Sequence, residues 1–527
     1  MDNKVLKRAR VVVAVVFFLF IGFFFIDLHS LPASGWINSF LYLQFIPSFL
    51  EFMKGVGIGT AGFLFIILLT LLFGRLYCSA LCPLGIFQDV ISRISKKFNK
   101  KNVKYKYHKP SNWLRYGLLG ITLVVFFSGS LFAITWLDPY SVFGRIVTNV
   151  FRPVYLGLNN LLASVLVEFG IYDVYKIEWK GISWIAFGSA LSFLILITAL
   201  AWKRGRLYCN TVCPLGAFLG LISGYSAFKI RLDKVACTSC GKCSVVCKAE
   251  CINVKTQEVD FSRCVGCLNC LTPCPDNGVN FEFVWKKQPS REVNDKRVFL
   301  KGLALVPFVP LVLKTAGAQG RQGKGYGQGQ GRNRKDPIPI DRQNHATPPG
   351  SESREHFNES CTACGLCVSV CPTQVLRPST TEYGLWWMMQ PFMDYDASFC
   401  NYECIECTEI CPTGALTSLP LEEKKLVQLG KAKFIKQNCI VHTDGTDCGA
   451  CSEHCPTKAV DMVPYRGNLF IPKVDETICI GCGACEYACP TDPLSIYVEA
   501  NLVHVKADEP VREEIDKEID YKEEFPF

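Results

Sequence analysis

The amino-acid sequence predicts an α-helical membrane anchor followed by two small, cysteine-rich domains of the α+β class. Two observations support this fold class. Apolar residues crowd into the first 210 of the 527 residues, where groups of basic residues separate the apolar stretches. Most of the 29 cysteines lie after that point and recur in short, regularly spaced runs. A chain of this length has room for two to four domains.

Four stretches are apolar enough to cross a bilayer, and each is close to the roughly 20 residues that a membrane helix needs. They are 11–26, 55–73, 113–137 and 183–202. Two shorter apolar segments, 36–52 and 154–169, are interrupted by Pro47 or by Asn159 and Asn160. We interpret both as interfacial or re-entrant, which leaves a membrane domain of four helices.

Basic residues give this membrane domain an orientation. They precede the first span, separate the second from the third and follow the fourth. Cytoplasmic loops of membrane proteins are enriched in Lys and Arg. All three groups are therefore predicted to be cytoplasmic, the loop 138–182 periplasmic, and the protein a resident of the bacterial inner membrane. The first apolar stretch lacks a small-residue cleavage site directly after it, so we interpret it as an anchor rather than a signal peptide.

The formal net charge of +9 follows the same pattern. The positive charge lies beside the apolar stretches, where it suits contact with membrane lipid, and no base-reading motif accompanies it. A nucleic-acid partner is therefore not expected.

A repeat marks the cytoplasmic ends of the second and fourth spans. Residues 74–87 read GRLYCSALCPLGIF, and residues 205–218 read GRLYCNTVCPLGAF. Two copies of a C-x3-C-P turn indicate a pseudo-symmetric pair of helical units. Their four cysteines could meet around a further metal centre, form a redox-active pair, or serve only as packing and turn residues at the helix ends. These are Cys78, Cys82, Cys209 and Cys213.

Twenty-four other cysteines form six runs, most with the spacing C-x2-C-x2-C-x3-C that is typical of [4Fe–4S] ligands. Cysteines three residues apart rarely reach disulfide geometry, and zinc needs only two pairs of ligands. In five of the runs proline follows the last cysteine, as in bacterial ferredoxins. The sequence therefore predicts ferredoxin-like α+β domains that hold six [4Fe–4S] clusters, two in one domain and four in the other. The ligands are Cys237, Cys240, Cys243, Cys247, Cys264, Cys267, Cys270 and Cys274 in the first domain, and Cys361, Cys364, Cys367, Cys371, Cys400, Cys404, Cys407, Cys411, Cys439, Cys448, Cys451, Cys455, Cys479, Cys482, Cys485 and Cys489 in the second.

The two-cluster domain is expected to share its cysteines crosswise, because the fourth cysteine of each run binds the other cluster in such ferredoxins. This rule groups Cys237, Cys240 and Cys243 with Cys274, and Cys264, Cys267 and Cys270 with Cys247. Lys248 stands where proline usually follows. Cys251 is left over and is expected to be a buried thiol rather than a ligand.

Haem is not expected. The chain has seven histidines, and no C-x-x-C-H attachment motif occurs in it.

The predicted domain boundaries place a linker between the two cysteine-rich domains. Within it, Lys296 and Arg297 precede an apolar stretch, 302–313, and the small residues 316–318. This segment resembles a twin-arginine export signal with one arginine replaced, although a linker helix lying on the membrane is the alternative. Residues 317–335 form a Gly-rich tether. The predicted divisions are a membrane domain at 1–235, a two-cluster module at 236–285, the linker at 286–350, a four-cluster domain at 351–505 and an acidic tail at 506–527.

These motifs resemble a known pair of proteins. The first 285 residues or so, with four spans, twin C-x3-C-P motifs and a two-cluster module, are similar to the membrane ferredoxin subunit of periplasmic nitrate reductase systems. The remainder resembles the partner periplasmic four-cluster ferredoxin, so the chain looks like a fusion of both. The resemblance implies a quinol dehydrogenase of anaerobic respiration that delivers electrons to a periplasmic reductase or cytochrome.

The resemblance also implies a pairing of runs in the four-cluster domain, the first with the fourth and the second with the third. The expected sets are Cys361, Cys364 and Cys367 with Cys489; Cys479, Cys482 and Cys485 with Cys371; Cys400, Cys404 and Cys407 with Cys455; and Cys439, Cys448 and Cys451 with Cys411.

Quinol oxidation releases protons, so a residue that accepts them is expected near the quinone site. Asp138, at the predicted periplasmic end of the third span, is the candidate, and a helix-ending Asp-Pro turn is the alternative. Two other functions stay open: assembly or maintenance of a metalloenzyme, and an electron relay that has no quinone site.

Overall fold

The computed structural model describes residues 3–26, 35–54, 59–98, 105–177, 180–275, 278–284 and 337–510. The predicted export segment, the tether and most of the acidic tail lie outside these residues. The chain forms two compact units. The first contains Met1–Gly329, Thr347–Ser398 and Cys404–Leu419; the second contains Gln330–Ala346, Phe399–Glu403 and Pro420–Phe527. Each unit is described by itself.

The membrane half of the first unit is helical. Its helices are α1 (Asn3–Ile26), α2 (Gly35–Tyr42), α3 (Phe45–Lys54), α4 (Gly59–Phe73), α5 (Tyr77–Ala80), α6 (Pro83–Phe98), α7 (Asn112–Phe127), α8 (Phe132–Leu137), α9 (Pro139–Ile146), α10 (Arg152–Glu168), α11 (Trp184–Arg204), α12 (Leu207–Thr211) and α13 (Pro214–Ser223). A π-helical turn, Val147–Phe151, joins α9 to α10.

Three helical stretches in the described part of the chain are long and apolar enough to cross a membrane: Lys4–Ile26, Pro139–Glu168 and Trp184–Arg204. The apolar helices Ala61–Phe73, Asn112–Phe127 and Pro214–Ser223 are shorter. The second predicted span, 55–73, is thus described only as a shorter helix. The structure differs from the predicted four spans in two further places. The stretch 113–137 is divided between α7 and α8 near Gly129, whose φ of +85° favours glycine.

The second difference concerns the segment 154–169, which we expected to be interrupted. It belongs instead to the continuous helical stretch Pro139–Glu168. Its two asparagines do not break the helix, because their side-chain amides donate hydrogen bonds to the following loop. Asn159 donates to the Tyr175 carbonyl at 3.1 Å, and Asn160 donates to the Ile177 carbonyl at 2.9 Å.

Aromatic packing joins these helices into one core. Helix α1 buries Phe24 and Phe25 completely. The Phe25 ring lies 5.6 Å from the Tyr140 ring, and the Phe18 ring lies 5.6 Å from that of Phe143, so α1 packs against α9. Such aromatic pairs contribute roughly 0.5–1.5 kcal/mol beyond the burial of their area. The twin C-x3-C-P turns lie in the same core.

The two-cluster module follows α13 and has the expected α+β character. Its strands are β1 (Phe228–Leu232), β2 (Ile252–Asn253), β3 (Glu258–Val259) and β4 (Val279–Phe283), with the short helix α14 (Lys242–Val245). Strand β1 pairs antiparallel with β4, and β2 with β3.

The rest of the first unit contains the first part of the predicted four-cluster domain. It has α15 (Arg354–Ser360), α16 (Leu366–Val370), α17 (Glu406–Glu409) and the antiparallel pair β5 (Leu376–Pro378) and β6 (Pro391–Met393). Cys364, Leu366 and Val370 belong to the same buried core as α1 and α9. The helix α3 also contacts this part of the unit, because Lys54 at its end donates a 2.7 Å hydrogen bond to the Gly414 carbonyl.

The second unit is also α+β. Its strands are β7 (Val427–Phe434), β8 (Val460–Pro464), β9 (Phe470–Val474) and β10 (Ile496–Lys506), and its short helices are α18 (Leu421–Lys424), α19 (Ile440–Thr443), α20 (Ala450–Glu453) and α21 (Ala484–Tyr487). Strand β7 pairs antiparallel with β10, and β8 with β9.

Close packing at Gly144 of α9 gives a first prediction. A Cβ atom there would collide with the Cys364 carbonyl and lie 2.7 Å from the Phe25 ring. Gly144→Ala should therefore lower the free energy of unfolding by about 1–3 kcal/mol, the usual cost of overpacking. Thermal unfolding of the detergent-solubilised protein measures this effect.

The matched control is Gly157→Ala in α10, where a Cβ would meet nothing within 4 Å. That change should leave stability unaltered or raise it by up to about 1 kcal/mol, because alanine is the better helix former. Equal destabilisation by the two substitutions would contradict the packing described for α9.

Candidate metal centres

The cysteines of the two-cluster module line two cavities. Cys237, Cys240, Cys243 and Cys274 line one small cavity. Cys247, Cys264, Cys267 and Cys270 line another. Each cavity thus collects three cysteines of one run and the last cysteine of the other, which is the crosswise grouping expected from the sequence.

Backbone conformation turns these cysteines toward their cavities. Ser239 and Leu268, between cysteines of the two runs, have φ values of 55° and 58°, and Gly241 and Gly266 also have positive φ. Positive φ is uncommon outside glycine and tightens a loop locally. In the described part of the chain no group of three or more His, Cys, Asp or Glu side chains is arranged to hold a metal ion. Four of these thiols line each cavity, an arrangement that could hold a larger cofactor.

Cys251 lies closer to this chemistry than the sequence indicated. It is buried, its Sγ lies 3.5 Å from that of Cys247, and it lines the second cavity. The expected buried thiol is present, but it stands beside a predicted ligand.

The four-cluster domain groups its runs differently from the expectation. In the first unit Cys361, Cys364 and Cys367 all interact electrostatically with Cys411. Cys361, Cys367 and Cys411 also share one apolar cluster with Phe357 and Tyr383. The predicted partner of this set was Cys489, so the pairing implied by the resemblance is wrong here.

The second unit gives the same correction. Cys439 and Cys451 interact with Cys448 and Cys489, which replaces Cys411 as the fourth member of that set. Cys479, Cys482 and Cys485 interact with Cys455 instead of Cys371. In these three sets, three cysteines of one run thus lie near the last cysteine of the neighbouring run, as in the two-cluster module. Cys400 belongs to the second unit, and Cys371, Cys404 and Cys407 belong to the first.

The four cysteines of the twin turns come together in the membrane half. Cys78, Cys82, Cys209 and Cys213 are all buried. Cys78, Cys82 and Cys213 belong to one buried core. Hydrogen bonds from Arg75 to the Cys209 carbonyl and from Arg206 to the Cys78 carbonyl join the two copies of the repeat beside these cysteines.

Asp138 occupies the N-cap of α9. Its Oδ2 accepts hydrogen bonds from the Ser141 backbone N–H at 2.8 Å and from the Ser141 hydroxyl at 2.9 Å. The predicted turn is therefore present, with Pro139 at the first helical position. Asp138 is only 2% exposed, and its Oδ1 has no hydrogen-bond partner among the described residues. Capping leaves one carboxylate oxygen available for another role.

Sequence reasoning missed a buried ion network centred on Asp89. Its carboxylate lies 2.8 Å from Arg206 Nε, 3.2 Å from Lys248 Nζ and 3.7 Å from Arg10 Nη1. Burial alone would raise the pKa of Asp89, but the charges of Arg206 and Lys248 hold it well below its ordinary value. Lys248, which stands where proline usually follows a ligand cysteine, is part of this network.

Comparisons with known proteins agree with this chemistry. The family described as "4Fe-4S binding domain" matches residues 57–101 and 186–233, which contain the twin turns. A "4Fe-4S dicluster domain" matches 446–492, and a further "4Fe-4S binding domain" matches 355–377. No solved structure matches the chain.

Several relatives carry names that refer to electron transport or to ferredoxins. The putative electron transport protein YccM of Escherichia coli is 26% identical over 40% of this chain and 51% of its own length. The methylamine utilization ferredoxin-type protein MauM of Methylobacillus flagellatus is 33% identical over 25% of this chain and 59% of its own. The ferredoxin-type protein NapG of Escherichia coli is 29% identical over 25% of this chain and 50% of its own.

The chain thus spans about half to three-fifths of the length of these relatives. They are ferredoxin-type electron transport proteins, and their similarity supports iron–sulfur electron transfer as the function of this chain. These matches do not test whether the chain is a fusion of two subunits, so the fusion stays a prediction.

The geometry around Cys251 yields a second prediction. Cys247→Ala should remove one cluster from the two-cluster module, with a loss of about four iron atoms per chain, because Cys247 completes one of the two crosswise sets. Cys251→Ala, four residues away and equally buried, should leave the iron content unchanged. Iron and acid-labile sulfide analysis of anaerobically purified protein measures both, and the reverse pattern would make Cys251 the ligand.

Proposed function

We propose that this chain oxidises quinol in its membrane half and passes the electrons along six [4Fe–4S] clusters to a respiratory reductase or cytochrome. The observation that carries the proposal is the arrangement of the first unit. One buried core contains residues of the membrane helices together with predicted cluster ligands from two domains. These ligands are Cys267 and Cys270 of the two-cluster module and Cys364 of the four-cluster domain. Such an arrangement supports electron flow between a membrane substrate and both cysteine-rich regions.

The residues that would hold the clusters are the crosswise sets described above. When bound, a [4Fe–4S] cluster accepts and returns one electron at a time, with a potential set by hydrogen bonds to sulfur, burial and local charge. The protein's own contribution is to fix the thiols around shared cavities with largely apolar linings. Leu366 and Phe357, both almost fully buried, supply part of that cover in the first unit.

Asp138 is our proposed proton acceptor. The carbonyl of the preceding Leu137 accepts a hydrogen bond from Tyr208 of the second twin turn, and Asp138 caps α9, whose Gly144 packs against the Cys364 carbonyl. Asp138 is therefore near both groups of cysteines. Tyr140 and Trp136 nearby also have buried polar atoms without a partner among the described residues. Buried polar groups are nearly always hydrogen-bonded, and unpaired ones are candidates for binding a ligand. A quinol hydroxyl could donate its proton to the open Oδ1 of Asp138.

The proposed setting is the bacterial inner membrane. The two-cluster module would face the cytoplasm with the basic groups, and the four-cluster domain the periplasm. Different parts of the membrane half contact the two cysteine-rich regions of the first unit. Arg75 and Ser79 contact the two-cluster module at Ser262 and Gly266, whereas Lys54 contacts Gly414 of the other domain. Quinone and membrane lipid are then the small-molecule partners.

A direct test uses the anaerobically purified full chain, reduced with dithionite and freed of excess reductant. It is then mixed with a menaquinone analogue while the EPR signals of the reduced clusters are followed. Rapid reoxidation that a quinone-site inhibitor abolishes is the expected result. If the clusters stay reduced, the chain has no quinone site, and a relay or an assembly role replaces the proposal.

Asp138→Asn tests the proton acceptor. The amide keeps the size of the side chain and can still accept the Ser141 hydrogen bond, but it cannot take a proton. Quinol oxidation should fall about a hundredfold or more, because general base catalysis typically contributes about 10²–10⁴-fold, while the iron content stays the same. Asp173→Asn, an exposed aspartate of the loop that follows α10, is the control and should leave the rate unchanged. Equal rates in both variants would remove Asp138 from the reaction.

A further inference from the structure

We propose that Cys78, Cys82, Cys209 and Cys213 bind a seventh [4Fe–4S] cluster inside the membrane half. The site as such depends only on the geometry of the twin turns. Its role as a relay between the two cysteine-rich regions rests on the proposed function.

The twin turns form a scaffold in which each half completes the other. Arg75 of the first turn donates a 3.0 Å hydrogen bond to the Cys209 carbonyl of the second. Arg206, the equivalent residue of the second turn, donates to the Cys78 carbonyl of the first. These two exchanged bonds bring the pair Cys78 and Cys82 toward the pair Cys209 and Cys213, so that each half supplies two thiols to one site.

Two glycines show how tightly this scaffold is built. A Cβ at Gly85 would collide with the Cys78 carbonyl and lie 2.6 Å from Arg206 Nη1. A Cβ at Gly216 would collide with the Cys209 carbonyl and lie 2.8 Å from Arg75 Nη2. The equivalent contacts in both copies mean that the close approach belongs to the repeat itself.

Hydrogen-bond donors are directed at the sulfur atoms. Gln88 Nε2 lies 3.1 Å from Cys209 Sγ, the Gly216 backbone N lies 3.3 Å from Cys213 Sγ, and Arg75 Nη2 lies 4.0 Å from Cys78 Sγ. Donors to sulfur stabilise thiolate and tune the potential of a bound cluster. A turn or packing role explains Pro83 and Pro214, but it does not require a buried amide and a buried guanidinium at the thiols.

The charge balance of the site also indicates a missing anion. Arg75 and Arg206 are fully buried. Arg206 pairs with Asp89, whereas Arg75 has no carboxylate partner among the described residues. An uncompensated buried charge is strongly destabilising. Four cysteine thiolates around an iron–sulfur core carry net negative charge, and they would supply the counter-charge that Arg75 lacks.

The two other interpretations of the four cysteines, a redox-active pair and a packing role at the helix ends, agree less well with these contacts. All four cysteines are free thiols, so no disulfide joins them in the structure. The family described as "4Fe-4S binding domain" matches both copies of the turn, at 57–101 and 186–233, although neither copy holds a complete four-cysteine run. The two copies together hold the four ligands that one such cluster needs.

The site lies between the two cysteine-rich regions of the first unit. Toward the two-cluster module, Gly266, between the ligands Cys264 and Cys267, packs against Leu76 of the first turn. Toward the other domain, Tyr208 of the second turn donates a 3.1 Å hydrogen bond to the Leu137 carbonyl, next to Asp138. Assembly of the cluster replaces the four thiol protons by four iron–sulfur bonds. In each later transfer the site gains one electron from a neighbouring cluster and gives one electron up.

Cluster counting on the full chain tests the proposal. Anaerobically purified wild type should contain seven clusters by native mass spectrometry and about 28 iron atoms. The double variant Cys82→Ser/Cys213→Ser should contain six clusters and about 24 iron atoms, a loss of about one seventh. Ser79→Ala, which alters a buried residue of the same turn without removing a thiol, is the control and should keep seven clusters.

A wild-type count of six, unchanged in the double variant, overturns the proposal even if quinol oxidation is normal. A count of seven that falls to six supports it even if quinone never reoxidises the clusters, so the two proposals fail separately. If the double variant does not fold, the wild-type count decides alone: seven clusters support the site, because the six cysteine runs provide ligands for only six, and six clusters overturn it.

Discussion

Two arginines hold the membrane half of this protein together. Arg75 and Arg206 are completely buried, and each reaches across to a backbone carbonyl in the opposite copy of the repeat. A buried guanidinium without partners would cost several kcal/mol, so these exchanged bonds fix how the two copies meet. The position of α6 and α13, and of everything packed on them, depends on this contact. Asp89 then balances Arg206 and connects the contact to Arg10 of α1 and Lys248 of the two-cluster module.

The cysteine-rich regions are built under a different constraint. A small α+β domain with strands of two to five residues, such as the two-cluster module, buries little apolar area. Small domains of this kind often depend on disulfides or metals for stability, and metal binding then contributes to folding. Here the thiols line two cavities of the module beside a few buried apolar residues such as Ile230 and Val279. Packing of Cys267, Cys270 and Cys364 into the helical core extends the buried region across the first unit.

Much of this could be predicted from the sequence, and the reasons are local. Ligand spacing along one run is a short-range property, so the crosswise sets around Cys247 and Cys274 followed directly from the motifs. The pairing of Cys361 with Cys489 did not hold, because it was taken from a resemblance, and pairing between runs depends on how distant segments fold. The helical stretch through Asn159 was missed because its loop partners lie 16 and 17 residues away. The Asp89 network joins residues far apart in the chain, and only Lys248 hinted at it.

In the proposed function, this one chain carries electrons between the two ends of its membrane half. Sealed vesicles that contain the full chain, with ferricyanide trapped inside and dithionite outside, test this transfer. The trapped ferricyanide should be reduced in proportion to the protein inserted, far faster than in protein-free vesicles. Reduction at the protein-free rate, while the clusters themselves become reduced, would show that the chain does not carry electrons across.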